Sequence, residues 1–199
     1  RANLSGANLE RAFLKGANLE RANLSGANFG EAKVGEEDFS KDLCGWMFIF
    51  FLGARNLTET EGLGLIEDFY QGVSGANLEG ANLEGANLER ANLPGANLER
   101  ANLSGANLER ANLLAANLSG ANLSGASLDG ADLCWAHLSG SDLSGTGLAG
   151  VDLLSAHLHQ ANLAGVDLAG VDLAGARADE DTTWPEGFDP KAAGVIFED

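Results

Sequence analysis

Residues 76–110 read ANLEGANLEGANLERANLPGANLERANLSGANLER. Alanine, asparagine and leucine return together every five residues, followed by a variable pair such as Glu-Gly, Glu-Arg, Pro-Gly or Ser-Gly. An α-helix advances about 100° per residue, so this period would scatter the leucines around its whole surface. A flat strand would send successive leucines to opposite faces. A chain that turns a corner every five residues keeps each leucine pointing into one interior. The small alanine two places earlier fits the space left inside, and glycine at the last position suits the dihedrals of a corner.

The pattern extends in both directions. Upstream, the large central residue is Leu4, Leu9, Leu14, Leu19, Leu24, Phe29 and, degenerately, Val34. Downstream it runs unbroken from Leu78 to Leu173, twenty repeats in all. The sequence A(D/N)LXX, held over about 140 of 199 residues, resembles the pentapeptide repeat family. That resemblance implies an all-β fold, the right-handed quadrilateral β-helix, with four repeats per coil. Successive coils then stack at about the strand spacing, ~4.8 Å, and nearest-neighbour stacking supplies the stability. The expected organisation is N-terminal repeats over 1–34, a non-repeat excursion over 35–72, the main solenoid over 73–178 and a C-terminal capping tail over 179–199. Counting a degenerate repeat at Val73, the repeats fill about seven coils, which predicts one continuous solenoid interrupted near a corner.

In the excursion, Ser40 is placed to N-cap a helix through Arg55, and Thr58 or Thr60 to start another through Tyr70. The apolar run Trp46, Met47, Phe48, Ile49, Phe50, Phe51, Leu52 needs cover. Folding onto its own chain is the expectation, and a partner contact through Trp46, Phe48, Phe50 and Phe51 is the alternative. In the tail, Pro185 and Pro190 oppose regular ladder pairing. Trp184, Phe188 and Ile196 are expected to cover the open core of the last coil. A homodimer contact is the tail's alternative use.

Charge narrows the partners. Twelve Lys and Arg stand against 29 Asp and Glu, a net charge of -17, which argues against direct binding to nucleic acid or an anionic membrane. Cys44 and Cys134 make no disulfide framework, so a reducing compartment, the cytoplasm, is the default. The chain begins at Arg1, already inside the repeat, so a native N-terminus with any targeting signal is expected to precede it. The apolar stretch 43–53 is shorter than the roughly 20 residues a membrane-spanning helix needs.

With four repeats per coil, residues twenty apart stack into surface columns. One column carries Asp132, Asp152 and Asp172, expected as a solvated ladder, with a bound cation as the alternative. Beside it, Leu114, Cys134, Trp135 and Leu154 occupy outward positions and form the candidate partner patch, unless the excursion or the tail covers them. His137 stacks on His157 with His159 nearby, but no zinc-module spacing joins them to Cys134, so no metal is assigned. No P-loop, nucleophile elbow or HExxH occurs, so neither catalysis nor a cofactor is expected. The leading expectation is a non-catalytic scaffold for an unknown protein partner. Some members of the family protect gyrase as acidic DNA mimics, so a regulator of type II topoisomerase is the alternative. A membrane-associated structural protein using Trp46–Leu52 is the second.

Overall fold

The computed structural model describes residues 3–5, 7 and 76–198. Most of the 1–34 repeats, the helices expected in 35–72, the run containing Trp46, Phe48, Phe50 and Phe51, and the Val73 repeat lie outside the described residues. So does the continuity of the two repeat blocks.

Most of the described pentapeptides satisfy their backbone in the same way. The Leu78 carbonyl accepts from the Ala81 N–H at 2.9 Å, closing a turn whose third residue, Gly80, has φ 58°. That is the pattern of a type II turn. Asn77 Oδ1 accepts from the Glu79 N–H at 3.1 Å, an Asx-type bond that explains why Asn or Asp precedes the central residue. Between corners the backbone pairs with chain about twenty residues away. The Leu78 N–H donates to the Asn97 carbonyl at 2.7 Å, and the Asn97 N–H donates to the Ala76 carbonyl at 3.0 Å. The resulting parallel bridges, Asn77–Asn97, Asn82–Asn102, Asn87–Asn107 and Asn92–Asn112, start four columns. The first continues through Asn117, His137, His157 and Arg177.

The interior is built from the two inward positions. Leu98, Leu118 and Leu138 bury completely, as do Ala96, Ala116 and Ala136. Where a hydroxyl residue replaces the alanine it stays buried by bonding backwards. Ser141 Oγ donates to the Leu138 carbonyl and Thr146 Oγ1 to the Leu143 carbonyl, both at 2.7 Å.

The corner explains which residues end the repeat. Glycine usually holds the left-handed position, but Arg90 (φ 56°), Arg100, Arg110, Ala115, Trp135, Ser155 and Gln160 also sit there. That conformation costs a residue with a Cβ about 1–2 kcal/mol, and glycine gives back ~0.5–1 kcal/mol through the freedom of its unfolded chain. Arg90→Gly is therefore expected to stabilise the exposed corner at residue 90 by about 0.5–1 kcal/mol, read from denaturant midpoints. A loss of stability would show that the arginine makes a contact outweighing its backbone strain.

The tail adds a further, looser layer. β1 (Arg177–Ala178) pairs in parallel with β2 (Ile196–Phe197), Arg177 opposite Ile196. Thr183 bridges Asn162, and the Gly175 N–H donates to the Gly194 carbonyl at 3.0 Å. Pairing thus resumes on either side of the stretch holding Pro185 and Pro190. Trp184 and Phe188 are half-buried against the core, rings stacked at 5.5 Å. Ile196 does not join them: it is 39% exposed, and Val195 is the buried residue. The register gives the reason, because Ile196 stands opposite the outward-facing Arg177, and its neighbour Val195 turns inward by strand alternation.

Candidate functional site

On a regular coil the two residues after each central leucine point outward, so they carry whatever the surface does. Glu84, Arg90, Gly105 and Arg110 are exposed at these positions. Leu114, Cys134 and Trp135 are not: their exposures are 1%, 0% and 4%, and Leu154 is half-buried. The candidate patch is therefore covered rather than open to solvent. Cys134 is disulfide-bonded, which the expectation of no disulfide framework and a reducing compartment did not foresee.

The acidic column is also built into the scaffold. Asp132, Asp152 and Asp172 each accept, through Oδ1, the N–H two residues on: Cys134 at 3.1 Å, Leu154 at 2.9 Å and Ala174 at 3.0 Å. They are caps in the asparagine position. Solvation grades along the column, with Asp132 buried, Asp152 half-buried and Asp172 exposed, so the expected solvated ladder does not extend to Asp132. Among the described residues no group of three His, Cys, Asp or Glu is placed to hold a metal ion. Asn92 shows the rule by its exception. Its buried Oδ1 has no partner, because the residue two places on is Pro94, which has no N–H.

Two carboxylates that the motif did not single out carry caps between coils. Gly147 has no side chain to cap Ala149, and Asp129 Oδ1 takes that N–H at 3.0 Å from the neighbouring coil. A Cβ on Gly147 would meet the same oxygen at 2.9 Å. The sequence signal was present, since Gly147 is one of the few repeats lacking Asn or Asp. At the C-terminal end, Asp179 Oδ1 accepts from the Gln160 N–H and from Thr182 Oγ1, both at 2.9 Å. A regular coil would offer a carbonyl to Gln160, and the side chain replaces it where the chain leaves the ladder.

The Gln160 N–H holds the Asp179 carboxyl below its ordinary 3.8, with Thr182 and His159 adding to the effect. A carboxyl whose folded value is depressed stabilises the fold above its unfolded value, and that contribution fades as pH falls through the folded one. Asp179→Ala is expected to lower the melting temperature of the tail at neutral pH. The difference from the parent should close as pH falls below the ordinary carboxylate range, as followed by circular dichroism. A gap unchanged in acid would assign the loss to packing instead.

The histidines gather near the same end. His137 and His157 have ring centroids 4.7 Å apart, and His159 lies edge-on to His157 at 6.2 Å. Glu198 reaches His159 Nε2 at 3.3 Å and Arg177 Nε at 3.5 Å, tying the end of the tail to this face. Cys134, three residues before His137, is engaged in its disulfide and does not complete a set of metal ligands with them.

The twenty-residue register, inward Ala and Leu, Asn or Asp caps and left-handed corners define a pentapeptide solenoid. The pentapeptide repeat family model matches in eight copies over residues 1–35, 74–110, 116–153 and 148–179, and the chain belongs to that family. The family's fold is the right-handed quadrilateral β-helix. A pentapeptide repeat protein of Nostoc is 36% identical over 68% of this chain and 93% of its own, with a TM-score of 0.33. One from the Arabidopsis thaliana thylakoid lumen is 33% identical over 48% of this chain and 66% of its own, with a TM-score of 0.45. QnrB1, a plasmid-mediated fluoroquinolone resistance protein, is 13% identical over 99% of this chain and 92% of its own, with a TM-score of 0.47. No curated protein matches the chain in sequence.

Proposed function

We propose that the chain is a non-catalytic interaction scaffold, a rod that presents outward residue pairs at fixed spacing to a protein partner. In this reading residues 1–34 and 73–178 form one solenoid of about seven coils, interrupted by 35–72 and closed by 179–199. The observation that carries it is the division of labour within the repeat. Alanine and leucine fill the interior and Asn or Asp caps the backbone, so recognition falls to the two outward residues. A column of such pairs repeats at the coil spacing, about 4.8 Å, and a convex surface of this kind offers no deep pocket for a small substrate.

The acidic residues also support a scaffold over a DNA mimic. Asp132, Asp142, Asp152, Asp167 and Asp172 each spend an oxygen on a backbone N–H. Outward glutamates alternate with arginine, as where Arg100 pairs with Glu99 at 3.5 Å. A phosphate-like stripe would need freely projecting acids of one sign. Among the described residues no helix is long and apolar enough to cross a membrane.

The test is a gyrase supercoiling assay with the purified chain and a quinolone-protection arm. No inhibition and no protection are the expected results. Inhibition or protection at low micromolar concentration would overturn the reading in favour of a topoisomerase regulator, and Glu89 and Glu109 would become the residues to neutralise.

A further inference from the structure

We propose that Leu114, Cys134, Trp135 and Leu154 form the docking surface for the chain's own 35–72 segment, clamped there by a disulfide between Cys134 and Cys44. Three observations on the described residues converge on this. The first is burial where the coil itself provides none. Ala149 and Ala169 hold the same repeat position on the adjoining face and are exposed, although they are smaller than Leu114 and Cys134 and stack in the same way. Neither small size nor column stacking therefore hides an outward residue, and Leu114, Cys134 and Trp135 must be covered by chain outside the regular coil.

The second observation names the occupant. Cys134 is disulfide-bonded, and Cys44 is the only other cysteine in the sequence. Two residues beyond Cys44 begins Trp46-Met47-Phe48-Ile49-Phe50-Phe51-Leu52, an uncharged run that needs an apolar surface. The apolar side chains of Leu114, Trp135 and Leu154 are a fitting one. The third observation is Trp135 itself. It holds the same left-handed corner position as Arg90, Arg110 and Gln160, which are exposed, yet its large ring is only 4% exposed. Asp132, in the adjoining column, is buried as well, which extends the covered area.

Formation of the clamp balances as thiol–disulfide exchange. Cys44 and Cys134 each lose a thiol proton, their sulfurs bond, and the two electrons reduce a small-molecule disulfide to two thiols. Such a bond persists in an oxidising compartment, so the clamped form belongs to one. The inference is independent of the scaffold reading, and the gyrase result leaves it untouched.

The experiment uses the full chain, oxidised with glutathione disulfide. Free thiols are blocked and the protein is digested with trypsin without reductant. The expected product is a cross-linked pair, peptide 42–55 joined to peptide 111–177, which separates on reduction. In a Trp46→Phe, Trp184→Phe background, Trp135 is the only tryptophan, and acrylamide should quench it weakly. Cys44→Ser, which leaves the coil's own residues intact, should raise that quenching several-fold while the circular dichroism of the coil persists. Phe50→Asp with Phe51→Asp should do the same with Cys44 retained. Thiols that titrate freely in the oxidised native chain would overturn the proposal, as would disulfide-linked dimers in place of the intrachain pair. Quenching of Trp135 as strong as that of free indole in the oxidised chain, or unchanged by Cys44→Ser, would overturn it equally.

Discussion

Leu118→Ala is expected to lower the unfolding free energy by about 3–4 kcal/mol, towards the upper part of the range for buried leucines. Leu118 is fully buried in a column between Leu98 and Leu138. Its layer cannot readily collapse around the lost methyls, because the backbone on both sides is pinned. The Leu98 N–H donates to the Asn117 carbonyl, and the Leu118 N–H donates to the His137 carbonyl, both at 2.7 Å. A cavity that cannot relax keeps its full cost. Leu173→Ala, next to the looser tail, should cost less, about 2 kcal/mol. Hydrogen exchange is the suitable measurement, because a stacked array opens by neighbouring layers rather than all at once. A cost below about 1 kcal/mol at Leu118 would mean that the column does not pack as a continuous core.

Leu114→Asp should be at least as damaging, about 4 kcal/mol or more, because it removes a buried leucine and leaves an unpaired carboxylate in its place. The repeat motif alone points the other way. Position 114 is outward, and on an open surface the same change would stay within about 0.5 kcal/mol. Ser104→Asp is the control at the same repeat position, half-buried on another face, where Glu84 and Glu99 are natural occupants. Denaturant midpoints for the two variants decide the matter. If they match, the surface at Leu114 is open to solvent and the cover is absent in solution.

The contrast between these two leucines shows how far the sequence could be read. Leu118 lies in phase with the five-residue period, and its burial follows from that phase alone. Leu114 lies out of phase, and nothing within its own repeat distinguishes an apolar surface residue from a covered one. The same limit applies to the acids. Asp152 and Asp172 are recognisable as occupants of the capping position, but Asp129 and Asp179 serve N–H groups about twenty residues away, at Ala149 and Gln160. The expectation that Ile196 caps the core failed for a related reason, since Val195 is the buried residue. Hydrophobicity did not reveal which of two adjacent residues would face Arg177 across the parallel register.

What the sequence by itself determined was the coil. Its rules act over very short distances: a carbonyl bonded three residues on, an Asn oxygen bonded two residues on, a corner that admits glycine, and alanine and leucine of a size to fill the interior. A regular repeat states such rules many times over, so single departures do not obscure them. What only the tertiary structure decided was the surface: the burial of Leu114, Cys134 and Trp135, the disulfide at Cys134, the caps lent between coils by Asp129 and Asp179, and the register that turns Ile196 outward. Each depends on chain that lies outside the residue's own repeat, and contacts of that kind leave no mark on a five-residue period.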